Sequence, residues 1–531
     1  MHIAQTRYKG MEDNDHSLHS PRHVFRTDSH LDQTSSPHSI LCEYKDQGLE
    51  DLLDIKMSVE LVLLLSVFSL GLFSLNEAQI VIPSVRPPPS QRQFNSSAIE
   101  RVIANISSKM KDKKLATLFE NCFPNTLDTT VVLASSNDSF VITGDISAMW
   151  LRDSTNQVLP YVPFASQDPH LASFLHGLVL RQLRSVRIDS YANSFNEAPN
   201  GNGHQDDIRT PPMQPAIFEG KYELDSLCAV LKLCSKVVNH TNSNVTFLKN
   251  HMDLWGDAMD KILSTMVSQQ MSTAEQAGDY PYKFNRNNGP RGHDIYPRKP
   301  VRRTGLIRSA FRPSDDATLL DFLIPSNAMA AISLYQLEHL CDVLIAAFPA
   351  HADRLGFIRA QAALTRAEVQ YGIQMATVPD AASGSTVIAF EIDGFGNTTM
   401  MDDANVPSLL SLPFLGYDTA DYLAVRSWVL STSNPWFFNG TAGQGIGSPH
   451  TGPDMIWPMS VTMQALTSGS DAEILGCLRV LLTSANDTGF MHESFNMNDP
   501  SIFTRHWFAW ANTLFGGLIV YLAESKPHLI F

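Results

Sequence analysis

The sequence predicts an all-α domain in which paired helices form a toroid, with long loops at one rim that build the functional site. Apolar residues recur at positions i, i+3, i+4 and i+7, the pattern of half-buried helices, in residues 171–186, 222–238, 327–344, 354–373 and 507–525. Alternating strand patterns are sparse, and residues 385–393 (STVIAFEID) are the best of them. The connecting loops are irregular and rich in polar side chains, which favours an enzyme over an α-solenoid scaffold with its regular loops.

The N-terminal region indicates targeting rather than a folded core. Residues 1–56 are polar, hold six of the 18 histidines and lack periodicity, so they are either disordered or an extension of the gene model. Residues 57–78 begin at a second methionine and contain an uncharged run of 16 residues, 61–76. This run has the length of a signal-peptide core and is short for a membrane span. It predicts a signal peptide, or a signal anchor if translation begins at Met1. A Pro-rich spacer over 79–94 then leads to the catalytic domain, 95–531.

Composition excludes several classes of partner. A formal net charge of −15 argues against nucleic acid and against an anionic membrane surface. The six cysteines show no zinc-ligand spacing and imply no disulfide framework. Eight N-x-S/T sequons predict exposure in the secretory pathway, as a secreted or wall-associated protein or as the lumenal domain of a signal-anchored one.

The segment TGDISAMWLRDST, residues 143–155, carries the densest chemistry. It packs Asp145, Asp153, Arg152 and Trp150 among apolar residues. Carboxylates and a guanidinium bind vicinal hydroxyls in two-pronged fashion, and an indole covers the apolar face of a sugar ring. The alternative is a buried structural Asp–Arg pair, but similar loops recur further along the chain.

Two such loops follow in order. Residues 196–212 offer His204, Asp206, Asp207 and Arg209 to sugar hydroxyls. Residues 218–226 place three acids, Glu219, Glu223 and Asp225, at the expected start of a helix. Acidic residues are also ordinary capping chemistry at that position, so both interpretations of these three side chains remain open.

Residues 311–329 (FRPSDDATLLDFLIPSNAM) contain adjacent carboxylates. Ser314 predicts a helix N-cap, which would place Asp315 and Asp316 in the first turn. Capping and dipole complementarity alone could explain them. However, Arg312 lies close by, and paired like charges can keep one carboxyl protonated near neutral pH, as a general acid requires.

Three later loops complete the candidates. Residues 391–410 hold Asp393, Asp402, Asp403 and Asn405, without the spacing of a calcium loop. Residues 445–460 bring His450, Asp454 and Trp457 together in sequence. In FMHESFNMNDP, residues 490–500, Glu493 lies between aromatic residues and a Trp-rich helix, where burial would tune it as a general base.

Together these motifs resemble glycoside hydrolase family 125. The resemblance is carried by TGDISAMWLRDSTNQVLPY, FRPSDDATLLDFLIPSN, MMDDANVPSLLSLPFLGY, GSPHTGPDMIWPMS and FMHESFN, and it covers residues 95–531 in order. It implies an (α/α)6 barrel and an inverting, exo-acting α-1,6-mannosidase that needs no metal or cofactor. It also implies that Asp315 or Asp316, with Asp315 preferred, is the general acid and Glu493 the general base. The N-terminal targeting segment and the sequons indicate a fungal-type member of the family.

The expected partner is therefore a carbohydrate, an α-1,6-linked mannoside. Two alternatives are a glucosidase or trehalase on a related barrel, and a mannan-binding protein without turnover. The residues that we expect to hold the terminal mannose are Asp145, Trp150, Arg152, Asp153, His204, Arg312, Asp393, Asn405 and His450.

Overall fold

The computed structural model describes residues 80–241, 244–289, 292–380, 384–485 and 487–531. The predictions for residues 1–56 and 57–78 lie outside these ranges. The described part of the predicted spacer packs against the domain: the Asn121 amide donates to the carbonyl of Pro83 at 2.8 Å, and Arg86 Nε donates to Asp128 at 2.8 Å. Phe94 is in the hydrophobic core. The described spacer residues, 80–94, are thus part of the same compact unit as the predicted catalytic domain.

Helices make up about half of the described residues, and each of the five predicted helices is present within three residues of its expected ends. Aspartate side chains cap two of the helices in the domain. Asp112 and Asp168 accept hydrogen bonds from first-turn amides, which satisfies N–H groups that have no partner within the helix. The α-helices are α1 Ser97–Lys109, α2 Lys113–Cys122, α3 Asn125–Thr129, α4 Leu151–Val158, α5 Pro169–Ile188, α6 Leu224–His240, α7 Met252–Gln270, α8 Thr273–Gln276, α9 Ile324–Ala347, α10 Ala352–Ile373, α11 Leu412–Leu415, α12 Tyr422–Val429, α13 Pro458–Leu466, α14 Asp471–Ser484 and α15 Ala509–Ser525.

Short antiparallel strands lie in the loops, so the all-α expectation holds only for the larger elements. They are β1 Val131–Leu133, β2 Phe140–Val141, β3 Met149–Trp150, β4 Ser194–Phe195, β5 Ile208–Thr210, β6 Ile217–Glu219, β7 Lys283–Gly289, β8 Gly292–Tyr296, β9 Phe322–Leu323, β10 Thr377–Pro379, β11 Thr386–Ile388, β12 Glu391–Ile392, β13 Thr398–Thr399, β14 Phe437–Asn439, β15 Gln444–Ile446, β16 Met455–Ile456, β17 Ser494–Asn496 and β18 Phe503–Thr504. They pair as β1-β2, β3-β4-β6, β5-β7-β8, β9-β12-β13, β10-β11, β14-β15 and β16-β17-β18. The predicted strand 385–393 contains β11 and β12.

The helices that position the site pack on one another in chain order. Helix α4 packs on α6, α6 on α9, and α9 on α11, while α13 packs on α15 and α15 on α4. The other long helices lie against this set, with α10 on α9, α14 on α13 and α5 on α6. Helix α9 is apolar enough to cross a membrane by composition, but most of it is buried in the domain, as expected of a core helix.

The loop residues that we singled out lie in the segments that lead into these helices. Trp150 precedes α4, Glu219 and Glu223 precede α6, and Asp315 precedes α9. Asn405, His450 and Glu493 precede α11, α13 and α15. Small sheets connect these loops to one another. In the sheet β3-β4-β6, Trp150 pairs with Ser194, which pairs with Glu219.

One local prediction is wrong. Ser314 does not cap a helix, because α9 begins ten residues later at Ile324. Asp315 has a φ of +64°, in the left-handed region that disfavours helix continuation, and Phe311 pairs with Ala317 across the turn. The two aspartates therefore lie in a tight turn, which lets their side chains point in different directions.

The close packing of α5 gives a stability prediction. A Cβ at Gly177 would lie 1.9 Å from the carbonyl oxygen of Ser135. We expect Gly177→Ala to lower the free energy of unfolding by about 1–3 kcal/mol, since overpacking displaces backbone. The control is Gly356→Ala in α10, where a Cβ would contact nothing within 4 Å and where Ala improves helix propensity by roughly 1 kcal/mol. Urea unfolding of both variants checks this; equal stabilities would contradict it.

Candidate active site

A cavity of about 530 Å³ lies where the loops before α4, α6, α9, α11, α13 and α15 meet. This volume is in the range of pockets that hold small molecules. Eight of the twelve predicted site residues line it: Trp150, Arg152, Asp153, His204, Asp315, Asn405, His450 and Glu493. Six sequence segments that are far apart along the chain thus contribute to one pocket, as the sugar-binding hypothesis requires.

Arg152 organises the carboxylates on one wall. Its guanidinium is 3% exposed and contacts Glu223 at 2.6 Å through Nη1, and Asp153 at 3.2 Å and Asp315 at 3.3 Å through Nη2. It also contacts Asp225 at 3.4 Å. Burial opposes the charge, but these carboxylates outweigh it and raise the pKa of Arg152 well above its ordinary value. The guanidinium is therefore a permanent cation in the pocket wall.

Asp315 reaches the pocket while its side chain is 28% exposed. The Asn193 amide donates to its Oδ1 at 3.3 Å, and Lys221 Nζ donates to its main-chain carbonyl at 2.6 Å. Burial alone would raise the pKa of Asp315. Arg152, a hydrogen bond with Glu223 and Lys221 together outweigh burial and hold that pKa below its ordinary value.

Asp316 faces a different partner. Its Oδ1 lies 3.1 Å from Nδ1 of His450, and His450 lines the pocket whereas Asp316 does not. A carboxylate on one imidazole nitrogen fixes the orientation and tautomer of the ring. The structure thus separates the two neighbouring aspartates: Asp315 is part of the pocket wall, and Asp316 supports a residue of the wall.

Glu493 is another carboxyl group in the pocket lining. It is 8% exposed, and Arg505 Nη1 lies 3.6 Å from its Oε1. The same guanidinium is held by Asp145, which accepts from Nε at 2.9 Å and from Nη2 at 2.6 Å. Burial of Glu493 agrees with the expectation from sequence. The charge beside it comes from Arg505, a residue that the sequence analysis did not single out.

Aromatic side chains complete the pocket wall. Trp150 packs on Phe218 with ring centroids 5.5 Å apart, and Trp457 packs on Phe508 at 6.4 Å. Trp510 lies under Arg152, 5.7 Å from the guanidinium carbon. Flat apolar faces beside charged groups are suited to the two-sided chemistry of a sugar ring.

Four predicted residues do not line the pocket. Asp145 is 44% exposed and binds Arg505, and Asp316 binds His450. Arg312 is buried, and its Nε donates to Glu391 at 2.7 Å. Asp393 accepts the amide of Phe395 at 2.8 Å and so fixes the turn between β12 and β13. Their assignment to substrate or to catalysis stays a prediction, and each has a structural partner that accounts for its position.

Several polar residues of the same loops form ion pairs or hydrogen bonds within the protein. Asp207 binds Arg286 through both oxygens at 2.6 Å, and Arg209 binds Asp189 at 2.6 Å. Asp402 accepts the amides of Leu409 and Leu410, at 2.8 and 3.0 Å. These contacts shape the loops rather than fill the pocket.

Other pocket residues were not predicted as site residues. The pocket is also lined by Phe218, Lys221, Arg286, Ser314, Arg505, Phe508 and Trp510. Arg286 comes from β7, in a segment without any motif. Arg505 and Phe508 could have been found, because they follow the FMHESFN motif closely in sequence.

The described residues hold no group of three His, Cys, Asp or Glu side chains arranged to bind a metal ion. The carboxylates of the pocket are neutralised by Arg152, Lys221, Arg286 and Arg505 instead. Described cysteines are all free and buried. The pocket brings together carboxyl groups, which are side chains that can donate or accept a proton.

Comparison with known proteins agrees with this chemistry. A family model described as the metal-independent α-mannosidases, GH125, matches residues 112–520. The meiotically up-regulated gene 157 protein of Schizosaccharomyces pombe is 40% identical over 474 residues, which cover 85% of this chain and 90% of the relative. A Streptococcus pneumoniae metal-independent α-mannosidase, solved in a non-productive complex with α-1,6-mannobiose, superposes with a TM-score of 0.73. That protein is 35% identical, and the match covers 82% of this chain and all of the bacterial one.

Proposed function

Because the chain belongs to the metal-independent α-mannosidases of family GH125, we propose that it is an inverting, exo-acting α-1,6-mannosidase. Family membership makes it a glycoside hydrolase. The linkage is supported by the bacterial relative, whose solved complex contains α-1,6-mannobiose. The observation that carries the proposal is the pocket, since Asp315 and Glu493 line it together with the sugar-binding candidates Trp150 and Arg152.

We assign the general acid to Asp315 and the general base to Glu493. In inversion the acid protonates the glycosidic oxygen as the C1–O bond breaks, and the base takes a proton from the water that attacks C1 from the opposite face. This requires carboxyl groups roughly 6.5–9.5 Å apart, with room for that water. Loops that precede two different helices, α9 and α15, supply the two groups, which suits such a separation.

The remaining pocket residues are assigned to binding of the terminal mannose. Arg152 and Asp153 present a paired cation and carboxylate, Asn405 and His450 present further hydrogen-bonding groups, and Trp150 presents a flat face. His204 lies at the edge of the pocket, 45% exposed and 3.7 Å from Glu219. We propose that Asp316 and Asp145 act through His450 and Arg505.

We also propose that the packing of the helices is that of an (α/α)6 toroid. Helices α15, α4, α6, α9 and α11 pack in sequence, and α13 packs on α15. Six loops that precede α4, α6, α9, α11, α13 and α15 meet at one pocket. A ring of inner helices with their N-termini at one rim accounts for both observations.

The reaction itself is tested by NMR during hydrolysis of α-1,6-mannobiose. We expect β-mannose as the first product, because a single displacement inverts the anomeric centre. The rate is expected to be unchanged after exhaustive EDTA treatment. First formation of α-mannose would overturn the inverting mechanism, and release of glucose from α-glucosides without release of mannose would favour the glucosidase alternative.

A secretory location is proposed from the sequons. Seven of the eight lie in the described residues, at Asn95, Asn105, Asn137, Asn239, Asn244, Asn397 and Asn439, and every one of these asparagines is exposed. Accessible side chains are what N-glycosylation requires. With a signal peptide the product is secreted or wall-associated; with a signal anchor it is a lumenal domain on a membrane.

Expression from Met57 in a eukaryotic host checks this location. We expect the protein to enter the secretory pathway and to gain mobility on a gel after endoglycosidase treatment. The matched control is the chain from residue 79, which lacks the apolar run and is expected to stay unglycosylated. An unshifted cytosolic product from Met57 would contradict the proposal.

A further inference from the structure

A second carboxyl group lies directly behind Asp315. The side chain of Glu223 is fully buried and does not line the pocket. Both carboxyl groups contact the guanidinium of Arg152, and the Asn193 amide nitrogen lies 3.1 Å from Glu223 Oε1 and 3.3 Å from Asp315 Oδ1. One guanidinium and one amide thus hold the two carboxyl groups close together. Two carboxyl groups that share a buried site favour a state with one proton between them, because two ionised carboxylates repel each other.

The charges around the pair favour one proton in it. The groups that face it are Arg152 and Asp153 from α4, Asp225 from α6, Glu219 and Lys221 from the segment before α6, and His450 from the loop before α13. Burial, opposed by Arg152 and reinforced by Asp315 and Asp225, raises the pKa of Glu223 well above its ordinary value. Asp315 is held on the ionised side, so the shared proton resides on Glu223 at rest.

We infer that Glu223 is a positioning residue that shares one proton with Asp315 and passes it to Asp315 for donation to the glycosidic oxygen. The inference rests on the proposed role of Asp315 as the general acid. The proton moves from Glu223 to Asp315 and then to the leaving oxygen as the C1–O bond breaks, which leaves both carboxyl groups ionised. The attacking water gives its proton to Glu493, and solvent afterwards restores the proton of the pair and removes that of Glu493.

The arrangement answers a chemical difficulty of the site. Asp315 is close to Arg152, Lys221 and His450, and these groups would keep an isolated carboxyl ionised at neutral pH. An ionised carboxylate cannot act as a general acid. A buried neighbour that retains a proton allows Asp315 to be protonated at the moment of reaction.

The test compares Glu223→Gln with Asp225→Asn, using α-1,6-mannobiose and an activated dinitrophenyl α-mannoside. Glutamine keeps the shape and a hydrogen-bond donor but has no proton to transfer. We expect Glu223→Gln to lower kcat on mannobiose about 100-fold or more at neutral pH, with little loss on the aryl substrate. The basic limb of its pH–rate profile is expected to move to lower pH. Asp225→Asn removes an equally buried carboxyl group from Arg152. Because Asp225 only helps to raise the pKa of Glu223 and is given no part in the proton transfer, we expect a smaller shift of that limb to lower pH and a much smaller loss of kcat on mannobiose.

A second variant covers the case in which Glu223→Gln does not fold. The Ser226 hydroxyl donates to Glu223 Oε2 at 2.9 Å, which favours the ionised carboxylate. Ser226→Ala is therefore expected to move the basic limb to higher pH, by about one unit. This is opposite to the shift from Glu223→Gln, and general loosening of the site would not produce opposite shifts.

Four outcomes decide between the inference and the proposed general acid. An unmoved basic limb in Ser226→Ala overturns it, as does an equal loss on both substrates in a folded Glu223→Gln. A normal mannobiose rate in Asp315→Asn would instead overturn the proposed general acid, whatever Glu223→Gln does. A low mannobiose rate in Asp315→Asn, together with opposite shifts of the basic limb in Glu223→Gln and Ser226→Ala, supports both the inference and the proposed general acid.

Discussion

Glu493→Gln is expected to lower kcat on α-1,6-mannobiose by about 10²–10⁴-fold, because general base catalysis by one group supplies about that factor. Glutamine preserves the volume of the side chain, and its amide oxygen can remain beside Arg505, whose Nη1 lies 3.6 Å from Glu493 Oε1. It cannot take a proton from water. Steady-state kinetics on mannobiose measure the effect, and an activated aryl leaving group is not expected to restore the rate, since attack by water still needs the base.

The control for this variant is Asp145→Asn. Asp145 holds Arg505 but does not line the pocket, so its loss displaces the cation beside Glu493 without removing the base. We expect a smaller fall in kcat than in Glu493→Gln. A folded Glu493→Gln enzyme with nearly full activity would place the base elsewhere.

Asp315→Asn and Asp316→Asn are expected to differ sharply. Asp315 lines the pocket, so its variant is expected to lose about 10²–10⁴-fold in kcat on mannobiose. Much of that loss is expected to be recovered on a dinitrophenyl α-mannoside, whose leaving group needs no protonation. Asp316→Asn disturbs the contact with His450, and we expect mainly a rise in KM of about tenfold, the effect of one lost hydrogen bond to a charged group.

The comparison requires both variants to be folded, which thermal unfolding checks. Asp315 has a left-handed φ of +64°, a conformation that Asn adopts as readily as Asp, so the substitution preserves the turn. If Asp316→Asn shows the larger loss of kcat and the aryl substrate rescues it, the acid is Asp316 and the assignment is reversed.

The sequence alone predicted the coarse architecture for a physical reason. Helical periodicity is local, and α5, α6, α9, α10 and α15 lie where apolar spacing placed them. The small sheets were largely missed because strands of two or three residues carry no period that a pattern can reveal. The turn at Ser314–Asp316 was mistaken for a helix start because Ser followed by acidic residues suits either.

The chemistry of the pocket was also readable from the sequence, since dense carboxylates, Arg152 and tryptophans in loops are unusual without a ligand. The sequence did not decide between Asp315 and Asp316, and it did not identify Glu223 as the neighbour of Asp315 or Arg505 as the neighbour of Glu493. Those answers depend on contacts such as Arg152–Asp315 and Asp145–Arg505, which join residues 163 and 360 positions apart. Local patterns determine which residues are available, but the packing of α4, α6, α9 and α15 decides which of them meet, and burial at that meeting point decides where the protons reside.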